Sequence, residues 1–200
     1  MPAPRMFIIA GPPGGGKSSI FSLSAFASGT FNADDRAAEL NGGSYQNIPL
    51  EIRRVVNREF EQFVEASIDA EQSFALETTL RSDITFEQAK MAQSKGFRVV
   101  MRYIALDNVE KHLERVRARA ALGGHSASEG ALRRIHASSL ANLPKALDPR
   151  QSGIEFVRIY DNSADEQGPE LVLTARRGRI IHVASPCPIW LQQAMGWSNL

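Results

Sequence analysis

The chain alternates between short continuous apolar runs and longer stretches in which apolar residues return every third or fourth position. The first kind of run fits a strand buried on both faces, the second an amphipathic helix. In chain order, "MFII" predicts a strand, "SSIFSLSAFA" a helix, "GTFNAD" a short strand ending in acids, and "LEIRRVVNREFEQFVEASIDA" a long helix. "SFALE" predicts a strand closed by Glu77, and "SDITFEQAKMAQSKG" a helix capped by Ser82 or Asp83 and stopped at Gly96. "FRVVMRYIA" reads as a strand, 107–121 and 129–143 as helices, and "IEFVRIY" as a strand. "LVLTA" and "RIIHVA" around "RRG" predict a hairpin, and "PIWLQQAMGW" a closing helix. Alternating strands and helices imply a three-layer α/β fold: a mostly parallel sheet of about five strands with helices on both faces, plus the C-terminal hairpin. Ligands of such sheets bind just past the carboxyl ends of the strands.

One junction carries most of the chemistry. "GPPGGGKSS" joins the first strand to the first helix and satisfies Gly-x-x-x-x-Gly-Lys-Ser at Gly11, Gly16, Lys17 and Ser18. In a loop of this kind successive backbone N–H groups wrap a phosphate chain, and the following helix points its positive end at the same charge. The expected nucleotide contacts are Gly11, Pro12, Pro13, Gly14, Gly15, Gly16, Lys17, Ser18 and Ser19. Lys17 would reach the outer phosphates of ATP or GTP, and the Ser18 hydroxyl would ligate the accompanying magnesium ion. Ser19 can equally cap or pack. The loop alone does not say where the last phosphoryl group goes, because kinases, switches and motors all use it.

Composition narrows the partners. Two hundred residues, 43% of them hydrophobic, suffice for one domain, 1–200, with a helical lid at about 107–143. With 23 basic and 22 acidic residues, the net charge of +1 offers neither nucleic acid nor an anionic membrane an electrostatic attraction. The lone cysteine, Cys187, rules out an internal disulfide, as expected in a reducing cytoplasm. No apolar stretch approaches membrane-spanning length.

Candidate chemistry clusters where strands end. Asp34 and Asp35 follow the second strand, where an acid can orient or deprotonate an acceptor hydroxyl while its neighbour caps the next helix; Asp34 is favoured for the acceptor. "LETTLRS" ends the third strand with Glu77, Thr79 and Arg81, donors and acceptors suited to a hydroxyl-rich substrate. Arg115, Arg117, Arg119, Arg133 and Arg134 lie on two helical stretches joined by Gly123, Gly124 and His125. They look like a lid that could bring positive charge onto triphosphate oxygens, with His125 as a hinge or substrate contact. Salt links to Glu110 and Glu114 would be the plain alternative. Asn162, in the loop after "IEFVRIY", could meet an adenine edge or simply belong to a turn.

In order, "GPPGGGKSS", "FNADD", "FALETTLRS", "GFRVVMRYIAL", "ERVRARAALGGHSASEGALRRIHASSLANL" and "IYDNS" resemble the zeta-toxin family of P-loop kinases over most of the chain. The resemblance implies an ATP- and magnesium-dependent kinase whose best-known members phosphorylate the 3′-hydroxyl of the sugar in UDP-N-acetylglucosamine and are restrained by an antitoxin. It makes Asp34 the acceptor-activating acid, assigns Glu77 and Thr79 to the sugar, and makes Arg119 and Arg134 the lid arginines. Where the family's lid often carries three arginines and an aromatic residue, this chain has Arg133, Arg134, Ile135 and His136. Kinases of other small acceptors, such as an antibiotic, a nucleoside or NAD, share these features, and a non-kinase ATPase is the alternative from another class. The latter should carry a strand ending in Asp-Glu and a Leu-Ser-Gly-Gly signature, and neither is present.

Overall fold

The computed structural model describes residues 2–124, 127–164 and 167–197. His125 lies outside the described residues. One seven-stranded sheet organises the molecule, in the order β2-β3-β1-β4-β5-β6-β7. Its strands are β1 (Arg5–Ala10), β2 (Gly29–Phe31), β3 (Phe74–Thr78), β4 (Arg98–Ala105), β5 (Phe156–Asp161), β6 (Glu170–Arg176) and β7 (Arg179–Val183). The first five run parallel, and β6 and β7 add antiparallel at one edge. The five parallel strands and the hairpin match the expectation from hydrophobic runs. At the hairpin turn Arg177 and Gly178 have φ of 49° and 77°, the left-handed pair a tight two-residue turn needs.

The helices are α1 (Lys17–Ile20), α2 (Ala33–Leu40), α3 (Leu50–Asp69), α4 (Ile84–Ser94), α5 (Val109–Ala121), α6 (Glu129–Ala141), α7 (Leu143–Leu147), α8 (Pro149–Ser152) and α9 (Ile189–Met195). They cover the sheet unequally. On one face Met6, Ile8, Leu76, Met101, Tyr103 and Ile159 join a large core with residues of α3, α4, α7 and α9. On the other, Ile9 and Ile104 pack against Phe21, with Ile20, Leu23 and Phe26 around them. The predicted helix over "SSIFSLSAFA" is thus corrected: α1 stops after four residues, and a 3-10 turn follows at Leu23–Ala25. Serine hydroxyls compete with helical hydrogen bonds, and Ser22 Oγ lies 2.9 Å from Ser24 Oγ. Phe21 and Phe26 gain more by turning onto the sheet, where the Arg102 guanidinium lies over both rings.

Two caps differ from the sequence reading. Neither Asp34 nor Asp35 caps α2; Asn32 does, its Oδ1 accepting from both aspartate N–H groups at 3.0 and 3.3 Å. Asp83 occupies the N-cap position of α4 without a side-chain cap bond, and its carboxylate meets Lys145 Nζ at 2.6 Å. The closing helix α9 is tied to the sheet where Trp190 Nε1 donates to Asp161 Oδ2 at 2.8 Å.

Candidate active site

The glycine loop at the end of β1 is shaped first by the protein itself. A Cβ on Gly11 would stand 2.1 Å from the Ile104 carbonyl oxygen, and one on Gly14 2.4 Å from that of His112. Gly14 and Gly16 have φ of 81° and 94°, a region that L-residues with side chains rarely adopt. The approach that bans side chains is therefore that of β4 and α5, a need separate from any bound phosphate. Gly15 N–H bonds back to Pro12 O at 3.2 Å. Among the described residues, the N–H groups of Gly14, Gly16, Lys17, Ser18 and Ser19 have no protein acceptor. With α1 a single turn, these amides rather than a long helix dipole supply the positive lining.

Lys17 is buried beneath this loop at 7% exposure. Its Nζ donates to Gly11 O at 2.9 Å and Pro12 O at 3.2 Å and stands 3.6 Å from Glu77 Oε1. Burial pulls its pKa below the ordinary lysine value; Glu77 and then Asp34 oppose that shift, and Arg119 reinforces it. Charges from β3, α2 and α5 thus act on Lys17 at the start of α1. Glu77 comes to the lysine because β3 pairs with β1 in a register that sets Glu77 against Ile9. Ser18 and Ser19 are exposed at the start of α1, and their hydroxyls have no protein partner among the described residues.

Asp34 and Asp35 occupy the first turn of α2 and are exposed. Asp35 Oδ1 accepts from the Tyr45 hydroxyl at 2.9 Å, a bond that raises the tyrosine pKa, with Arg119 opposing. Tyr45 thus belongs to the same mouth. The sequence reading missed it, although a lone aromatic within the polar run "NGGSYQN" was the available signal.

Other expected residues are placed less centrally. The Thr78 hydroxyl is tied to Thr85 and to the Leu80 N–H, which leaves Thr79, half-buried, and Arg81, exposed, with no partner among the described residues. Arg134 is exposed on α6, its Nη1 against the Gly130 position, and nothing in the structure brings it to Lys17. Arg133 is held by Glu110 and Glu129, and Arg117 by Glu129, so the plain salt-linked reading holds for these two. Asn162 is buried, and its Nδ2 donates to Gly15 O at 3.1 Å, so its side chain braces the loop.

His112, on α5, was also not anticipated. It is 2% exposed and its ring bridges the Leu106 N–H and the Pro13 carbonyl. Burial pushes its pKa down to about 3. Behind it the His136 ring lies edge-on at 4.9 Å between centroids, and a cavity of about 660 Å3 opens beyond, lined by His136, Leu140 and Trp190. That cavity does not include Lys17, Asp34 or Glu77.

No protein-family model matches the chain. An uncharacterized protein of Haemophilus influenzae is 38% identical over 56 residues, 28% of this chain and 40% of that protein. Among solved structures, the AvrRxo1-ORF1:-ORF2 complex superposes with a TM-score of 0.71 at 16% identity, over 96% of this chain. The same complex with ATP gives 0.68 at 17% identity over 92% of this chain and 61% of that one. The PezAT toxin-antitoxin system of Streptococcus pneumoniae gives 0.66 at 15% identity, over 100% of this chain and 81% of the other. The chain spans only 63% of the AvrRxo1 chain it matches first. These likenesses, at 15–17% identity, show that the chain shares the α/β architecture of those proteins.

Proposed function

We propose that this chain is an ATP-dependent phosphotransferase acting on a hydroxyl of a small molecule, with a nucleotide sugar such as UDP-N-acetylglucosamine as the first acceptor to test. The observation that carries the reading is the convergence at Lys17: a buried ammonium beneath a loop whose N–H groups at Gly14 and Gly16 have no acceptor among the described residues, and carboxylates of Glu77 and Asp34 within its field. In this reading the amides of Gly14, Gly16, Lys17 and Ser18 hold the phosphate chain, and Lys17 exchanges the carbonyls of Gly11 and Pro12 for phosphate oxygens. Asp34 accepts the proton of the acceptor hydroxyl as its oxygen bonds to the terminal phosphorus; the bond from that phosphorus to the bridging oxygen breaks, and ADP leaves. Arg119, reaching over from α5, takes up charge on the transferring group. Glu77, with Thr79 and Arg81 beyond it, orients acceptor hydroxyls, while Asp35 steadies the mouth through Tyr45.

The donors present fit magnesium arriving with the nucleotide: Ser18 offers an exposed hydroxyl beside Lys17. When bound, the ion would neutralise phosphate charge. The ATP carried by the AvrRxo1 structure supports nucleotide binding, and PezAT, a toxin-antitoxin system, supports looking for a restraining partner protein. No described helix is long and apolar enough to cross a membrane.

The test is transfer itself. Purified protein incubated with γ-labelled Mg·ATP and a bacterial metabolite pool, with UDP-N-acetylglucosamine as a separate arm, should yield one labelled small-molecule product that disappears in the Asp34→Asn variant. Label recovered only as inorganic phosphate in every arm would defeat the phosphotransferase reading.

A further inference from the structure

We propose that His112 is a positioning residue that aims the phosphate loop, a role that rests on the nucleotide-binding reading above. Leu106 N–H donates to His112 Nε2 at 3.0 Å. An acceptor at Nε2 in a neutral ring places the proton on Nδ1, which then donates to Pro13 O at 2.9 Å. The imidazole is thereby locked in one tautomer between the end of β4 and the outer wall of the loop. A peptide unit is planar, with its C=O and the following N–H pointing opposite ways. Holding the Pro13 carbonyl outward therefore turns the Gly14 N–H inward. The same device recurs two residues on. Asn162 Nδ2 holds the Gly15 carbonyl at 3.1 Å, which turns the Gly16 N–H inward. Neither the Gly14 nor the Gly16 N–H has a protein acceptor among the described residues.

Helix α5 grips the loop by both routes. His112 acts directly, by its ring on Pro13 and by its backbone carbonyl packed against Gly14. Arg115, one turn further along, donates from Nη2 to the Asn162 carbonyl at 3.2 Å and so fastens the second brace. Burial keeps the imidazole neutral through the physiological range, so the brace does not depend on pH there. The N-terminal half of the lid helix is therefore a fixed wall of the nucleotide site, and any closing motion has to begin beyond Arg115.

Leu and Gln variants separate this role from simple packing. A carboxamide carries an acceptor and a donor at nearly the spacing of the ring nitrogens, so His112→Gln can keep both bonds while His112→Leu keeps neither. By calorimetry, His112→Leu should lose about tenfold or more in Mg·ATP affinity and His112→Gln should stay within about threefold of the parent, as expected for loss or retention of an aimed hydrogen bond. A folded His112→Leu protein that binds like the parent overturns the proposal. Should the parent not bind Mg·ATP, the functional reading fails, and hydrogen exchange then decides the positioning role alone: amides of the peptide over 11–18 must exchange faster in His112→Leu, with β1 unchanged, and equal rates overturn it. If His112→Leu does not fold, nitrogen NMR of the parent decides: an Nδ1–H tautomer supports the brace, and an Nε2–H tautomer overturns it.

Discussion

Lys17 is a buried cation whose nearest carboxylate stands 3.6 Å away, and its pKa lies below the ordinary value because burial outweighs that partner. Such a group contributes little to folding and much to an arriving polyanion. Lys17→Ala should therefore remain folded by circular dichroism while Mg·ATP binding weakens by about a hundredfold, the value of a strong charge-assisted bond. Asp34→Asn separates the steps differently: binding should persist within a few-fold while label transfer falls by about 10²–10⁴, the range for loss of a general base. His112 supplies a pH prediction. Its folded pKa of about 3 lies below the ordinary 6.5, so between these values the unfolded chain binds a proton that the folded one does not. Stability contributed by the neutral ring is present above about pH 6.5 and is lost as pH falls toward 3, by up to about 1.4 kcal/mol per pH unit. Urea unfolding from pH 7 to pH 4 should show this loss, reduced in His112→Gln; an equal slope in both proteins would refute it. His136, also shifted down by burial, acts in the same direction. At this scale the phosphate-loop motif singled out Lys17, strand ends singled out Asp34 and Glu77, and the family resemblance singled out Arg119; the binding and transfer assays above test their roles. Tyr45 and His112 stayed hidden because their roles depend on partners 10 and 99 positions away in the chain.

Helices α5 and α6 hold each other through a small separate core of Leu113, Val116 and Leu132, with Val109 against it. A satellite core of this kind can loosen without the sheet unfolding. Leu132→Ala should cost roughly 2–3 kcal/mol there, the lower part of the range for buried leucine. Hydrogen exchange should rise in both helices and leave β1 and β4 unchanged; a uniform rise across the sheet would show instead that these two helices and the main core unfold together. Both helices were predicted nearly to the residue, since apolar spacing and glycine stops are local signals. α1 was not: the serines and phenylalanines of "SSIFSLSAFA" satisfy a helical pattern, but sheet contacts from Ile9, Ile104 and Arg102 decide the outcome. The α2 cap likewise fell to Asn32 rather than the aspartates, because all three are good caps and only the backbone path chooses among them.

Over the whole molecule, strand identity could be read from hydrophobic runs, and strand order could not. Nothing local says that β3 lies between β1 and β2, yet that order brings Glu77 to Lys17. Likeness to AvrRxo1 and PezAT over nearly the entire chain, at 15–16% identity, fits an architecture kept by its packing while individual side chains change. Transfer from ATP requires first that the glycine loop and Lys17 grip a nucleoside triphosphate. Calorimetric titration of Mg·ATP into the parent protein and into Lys17→Ala tests it most directly: saturable one-site binding by the parent, nearly abolished in the variant, is the predicted result. Absence of binding by the parent, or equal affinity in the two proteins, would contradict the account.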